Sequence, residues 1–184
     1  MINYFHHWRV KKLPVIIVCL FYSLCTLEQL PEVMQMTFPK GTKKLDERQL
    51  ISLSHRRFDE KTVPGFHNHV YEKDRLLIYY LNLSQFPTHP ERRHSLEADQ
   101  KMMVSLLSIG NGNGVDKSKI ITVNNIRFAI IEYHDKDNLY IRFTSDYDKN
   151  GGLVNGFIEY KKPDDMEAKQ YLQDLLQSMH FINN

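Results

Sequence analysis

The segment "HNH", residues 67–69, is the sharpest metal-binding pattern in the chain. On an extended backbone alternate side chains share a side, so His67 and His69 would present their rings about 6 to 7 Å apart, within reach of one ion. A zinc site needs three or four protein ligands, and His89 and His94, or Glu91, on a later polar stretch are the residues able to complete it. That set defines one reading, a metal-dependent hydrolase built on histidines between residues 67 and 94. The competing reading makes them solvated or hydrogen-bonded loop histidines.

A second pattern is "SIGNGNGVDK", residues 108–117, with Gly110, Gly112 and Gly114 at alternate positions. A phosphate-binding loop follows a strand and opens a helix, so that backbone amides and the helix N-terminus meet the anion. Here the order is reversed: a helical pattern precedes the glycines and a strand pattern follows. The spacing is G-x-G-x-G, and neither Lys117 nor Lys119 follows in the P-loop arrangement. Gly110 reads as a helix C-cap and the stretch as a joint.

Other reactive constellations are missing or have structural work. No G-x-S-x-G occurs, and Ser84, Ser95, Ser105 and Ser108 fall in polar loops or on a helix. Both cysteines, Cys19 and Cys25, lie near the N-terminus, which leaves the rest of the chain without a thiol nucleophile. Asp135, Asp137, Asp146, Asp148, Asp164 and Asp165 stand at turns or a helix start, where aspartates form turns and caps. "DYDKNGG" resembles the opening of a calcium loop, but Phe157 occupies the place of the closing glutamate. "NLS" at Asn82 is a glycosylation acceptor only in a eukaryotic secretory pathway.

Aromatics are the remaining candidates. Tyr71, Tyr79, Tyr80, Tyr133, Tyr140, Tyr147 and Tyr160 sit in or beside strand patterns, and a ring on a sheet's open face recognises protein or sugar. Tyr133, Tyr140 and Tyr160 are the candidate binding residues; the plain alternative is that they pack beneath helices.

These residues must be positioned by elements that the pattern outlines. After a weak alternation at Met34, Met36 and Phe38, "KLDERQLISLSHRRF" has helical spacing, with Asp46 as N-cap and Gln49 three residues on. Residues 76–81 form an apolar strand, and Ser95 caps a helix through Ser108 on which Leu96, Met103 and Leu107 recur, widened by Met102 and Leu106. "KIITV", "IRFAIIEY", "LYIRFTS" and "LVNGFIEY" then alternate with period two, the first pair joined by Asn124 and Asn125. That predicts a four-strand antiparallel meander. Pro163 and Asp164 open a closing helix with Ala168, Leu172, Leu175 and Met179 on one stripe, broadened by Tyr171 and Leu176. The expected class is α+β: an antiparallel β-meander sheet packed by amphipathic helices.

The first residues differ from the rest. "MINYFHHWRVKK" carries Arg9, Lys11 and Lys12 without an acid, and residues 13–27 carry no charge, in the order of an export signal. The run is 15 residues long and is short for a membrane span, which needs roughly 20. Residues 1–26 are therefore expected to be a signal peptide or an N-terminal anchor, and residues 27–184 a single domain. Leu24 directly before Cys25 does not suit a lipidation site, which needs a small residue there. Losing residues 1–26 moves the formal charge from +2 to −1, so the domain carries no electrostatic footprint for nucleic acid. Without disulfides it must be held by its core.

"FPKG" after a short strand, then a helix, an antiparallel meander and a final helix ending "LLQSMHF", resembles the PsbP-like fold group over residues 36–181. That group includes photosystem II extrinsic subunits, Ran-binding nuclear-import factors and exported bacterial proteins. The resemblance implies a binding or assembly module with no catalytic set to transfer onto these residues. The expectation is an exported, periplasmic or envelope-associated module needing no cofactor, with another envelope protein as its partner. Membrane contact would come only through an N-terminal segment left uncleaved or lipidated at Cys25.

Overall fold

The computed structural model describes residues 33–58, 69–84, 93–109 and 113–182; for 54–58 and 82–84 only the backbone path is described. Strands β3 (Val70–Lys73) and β4 (Leu76–Ser84) form a hairpin, turned at Asp74, whose φ is 54°. β5 (Gly114–Val123), β6 (Ile126–His134), β7 (Leu139–Ser145) and β8 (Gly152–Tyr160) are the expected meander. With β2 (Lys43–Lys44) at the far edge, these strands build one antiparallel sheet in the order β2-β3-β4-β8-β7-β6-β5. The short strands β1 (Met34–Gln35) and β9 (His180–Phe181) pair separately. The fold is α+β.

The turn between β5 and β6 shows why two asparagines stand there. Asn124 and Asn125 have φ of 51° and 62°, the double left-handed turn that matches strand twist and that asparagine tolerates. β5 starts at Gly114, five residues before "KIITV". A Cβ on Gly114 would lie 2.7 Å from the His134 ring, so the last glycine of the loop admits a side chain from the neighbouring strand. Gly110 and Gly112 lie outside the described residues, and the preceding helix is closed by Ser108 rather than by Gly110.

Three helices flank the sheet among the described residues. α1 (Glu47–Phe58) is opened reciprocally: the Gln49 N–H donates to Asp46 Oδ1 and the Asp46 N–H to Gln49 Oε1, each at 2.9 Å. Its Leu50 and Leu53 pack with Leu45 on Val70 and Tyr79. α3 (Asp165–Ser178), entered through a 3-10 turn at Lys162–Asp164, buries Ala168, Tyr171, Leu172, Leu175, Leu176 and Met179 on the opposite face. There it meets Ile78, Phe128, Ile141, Phe143 and Ile158, and each large side chain so buried contributes about 1.5 to 3 kcal/mol. The Asn124 amide donates to the Gln177 carbonyl at 2.8 Å, tying the β5–β6 turn to the end of α3.

α2 (Leu96–Leu107) behaves differently. Ser95 Oγ accepts the Ala98 N–H at 3.2 Å, as a cap should, yet Leu96 alone of its side chains is fully buried. Met102 and Leu106, expected to widen a buried stripe, are 52% and 53% exposed. The helix is held by polar contacts: Arg127 to Glu97, and Gln100 Nε2 to Ser118 Oγ at 2.7 Å.

Gly156 lies at the centre of the sheet, opposite Phe143 in the β7–β8 register. A Cβ there would stand 2.5 Å from the Tyr79 carbonyl oxygen and 2.6 Å from Phe143 Cζ. Gly156→Ala is expected to destabilise by about 1 to 3 kcal/mol through overpacking, read as a lower urea midpoint with an unchanged slope.

Candidate functional site

Strand alternation sorts the candidate residues onto two faces. Tyr160 is in phase with Ile158 and Val154 and lies in the α3 core, where its hydroxyl donates to Asp165 Oδ1 at 3.0 Å. Tyr133 and Tyr140 lie on the other face, directly opposite each other in the β6–β7 register. The structure thus brings together two of the three tyrosines and places the third behind the sheet.

On that face the rings form a row across four strands. Tyr79 stacks on Phe157 with centroids 4.3 Å apart, Phe157 meets Tyr140 edge-on at 6.1 Å, and Tyr140 stacks on Tyr133 at 4.8 Å. The Tyr140 hydroxyl donates to Asp135 Oδ2 at 2.6 Å. Burial, and then that hydrogen bond, hold the Tyr140 phenol well above its ordinary range; burial pushes Tyr133 up to about 12. Burial also raises the Asp135 carboxyl, but bonds from Tyr140 and from the N–H groups of Asp137 and Asn138 outweigh it and hold it below the ordinary value.

Arg142 sits beside this row and was not among the sequence candidates. Its side chain projects from β7 under α2, into a cavity of about 290 Å³ roofed by Leu96, Asp99 and Met103 and floored by Ala129, Ile131 and Asn155. Nε is buried without a hydrogen-bond partner, and burial lowers the guanidinium pKa. No carboxylate pairs with it among the described residues. Asp99 faces the same cavity, and burial pushes its carboxyl upward. Nearby, Arg93 has a second buried, unpartnered Nε and lies over the Tyr147 ring at 5.8 Å. Among the described residues Arg142 is thus a largely buried guanidinium whose Nε has no acceptor, an arrangement that carries a desolvation cost.

The histidines do not assemble in the described part. His69 sets its ring edge-on to Tyr80, a side chain of the α3 face, whereas His94 lines the α2 cavity on the other face. His67, His89 and Glu91 lie outside the described residues. Among the described residues no group of three His, Cys, Asp or Glu side chains is placed to hold a metal. In the calcium-like loop, Asp148 is buried and spends Oδ1 on the N–H groups of Asn150, at 2.9 Å, and Gly152, at 2.5 Å, which is turn formation.

Two outcomes test this geometry. Arg142→Leu is expected to stabilise the protein by about 1 to 3 kcal/mol, since it removes an unpaired buried charge; a lower urea midpoint would make the guanidinium a structural bond-maker. Asp135 titrates below its unfolded value of about 3.9, so its contribution is complete above that pH and is lost as pH falls through the folded value. Asp135→Asn should therefore flatten the acid limb of stability measured between pH 2 and pH 5.

No family model and no curated protein matches the sequence. Among solved structures, the chain is similar to cyanobacterial PsbP (CyanoP) from Synechocystis sp. PCC 6803, with a TM-score of 0.47 and 10% identity over 84% of this chain and 95% of that one. It is also similar to PA94, a Pseudomonas aeruginosa protein of unknown function, with a TM-score of 0.42 and 6% identity over 82% and 84% of the two chains. The PsbP-like resemblance is one of fold alone.

Proposed function

We propose that this chain is a small binding or assembly module, exported to a cell envelope, that engages another protein through the outer face of its sheet and performs no reaction of its own. The observation that carries this reading is Arg142, a largely buried guanidinium in a cavity, with no carboxylate partner among the described residues. Such a group lowers the stability of the free protein, and the cost is offset when a partner's carboxylate enters.

The surface around the cavity supplies the rest of an interface. Met102, Leu106 and Ile109 recur at helical spacing on and just beyond α2, and Ile109 is 68% exposed. They form an exposed apolar stripe, of which Met102 also lines the cavity, and Tyr133 and Tyr140 stack on the same face of the sheet. The partner that fits is a protein segment with an apolar patch next to an acidic side chain. Export rests on the basic start and the uncharged run at residues 13–27. Among the described residues no helix is long and apolar enough to cross a membrane.

The test places a photo-crosslinking amino acid at Met102 or Leu106, with Gln170 on the exposed side of α3 as the control, in the cells that make the protein. The expected result is one discrete adduct in the envelope fraction from the α2 positions, none from Gln170, and loss of that adduct in Arg142→Glu. Equal labelling from both sides, or an adduct indifferent to Arg142→Glu, removes the basis for the reading.

A further inference from the structure

The face covered by α3 carries a second cavity, of about 460 Å³, separated from the α2 cavity by the sheet. It opens between the edge strand β5 and α3, which packs chiefly on β8. Along β5 the four side chains on this side are Lys117, Lys119, Ile121 and Val123, in that order. Ile130, Ile141, Leu172 and Leu176 complete an apolar floor. The volume is within the range of small-molecule sites, about 300 to 1,000 Å³.

The groove is polarised end to end. Lys117 pairs with Glu132 in the β5–β6 register, and Glu132 reaches Lys169 Nζ at 3.4 Å, so three lysines gather at one end. At the other end Val123 adjoins the turn whose Asn124 holds the Gln177 carbonyl, beside Leu176. Strand and helix therefore run in the same sense, from charged to apolar. Lys169 is engaged by Asp165, at 3.0 Å, and by Glu132. Lys117 and Lys119 have no ion pair among the described residues, and they are the charges left for a ligand. The inner face of β5 from Lys117 to Val123 spans about 20 Å.

We propose that this groove is a binding site for a free medium-chain fatty acid, with its carboxylate held by Lys117 and Lys119 and its methylene tail laid over Ile121, Val123 and Leu176. Charge complementarity selects an anionic head at one end, and the apolar floor selects an unbranched tail along the rest. The site is independent of Arg142 and of any protein bound across the outer face.

The experiment is titration calorimetry on the full chain with dodecanoate below its micelle concentration, with dodecylamine and dodecanol as charge controls. One dodecanoate per chain is expected, with about tenfold or greater weakening in the Lys117→Gln, Lys119→Gln double variant. Ile121→Trp, which fills the groove at a half-buried position, should abolish binding while circular dichroism and the melting midpoint stay unchanged. Should that variant fail to fold, Val123→Trp serves the same purpose. Arg142→Leu should leave dodecanoate binding intact, which separates this site from the outer face. Equal binding of dodecylamine, or no binding of dodecanoate, overturns the proposal. Capture of phosphatidylglycerol vesicles without uptake of free dodecanoate overturns it in favour of a membrane surface. A double variant that binds normally but self-associates overturns the role of the lysines and makes them guards of the β5 edge.

Discussion

The pairing of β4 with β8 is the constraint on which the molecule depends. Residues 77–84 run against residues 152–159, joining two segments far apart in the chain and turning a hairpin and a meander into one sheet. Without that seam, α1 and the meander would each have half a core. It also decides composition: β4 is central and covered on both faces, and accordingly it reads Leu76, Leu77, Ile78, Tyr79, Tyr80, Leu81 without alternation. Gly156 is the adaptation of β8 to the same seam, where the Tyr79 carbonyl and the Phe143 ring close over a residue with no side chain.

From this seam outward the two faces diverge. The α3 face is packed by apolar contact from Tyr160 to Met179, and a groove remains where α3 borders the β5 edge. The outer face is covered by two separate helices, of which α1 rests on leucines and α2 hangs on Arg127, Glu97, Gln100 and Ser118. A helix suspended by its polar contacts need not collapse onto the sheet. The space beneath it holds the Arg142 guanidinium, whose Nε has no acceptor among the described residues.

Much of this was legible in the sequence, for identifiable reasons. The meander and the closing helix announce themselves because each buries one face, so period two and period 3.6 appear undiluted. The caps at Asp46 and Ser95 and the Asn124-Asn125 turn are local chemistry that needs no tertiary context. Two kinds of feature were not legible. Tyr160 belongs to the core face with Ile158 and Val154 and not with Tyr133 and Tyr140; the face of Tyr133 is hidden because β6 is apolar on both sides through Phe128, Ala129, Ile130 and Ile131. Arg142 alternates with Ile141 and Phe143 as any solvent-facing residue would, and its burial comes from α2, distant in sequence.

The smallest sheet in the molecule sets how the domain bears load. β1 and β9 pair Met34 with Phe181, and the Ile182 N–H donates to the Val33 carbonyl at 3.1 Å, so residues 33 and 182 emerge side by side from the same end of an antiparallel pair. A force drawing those two points apart opens the ladder one bond at a time, as a zip, instead of shearing it. The seven-stranded sheet takes up tension only after that clasp is undone. A module pulled by its ends would thus first lengthen by a few residues, drawing Val33 and Met34 from the rim of the core before the seven-stranded sheet bears tension.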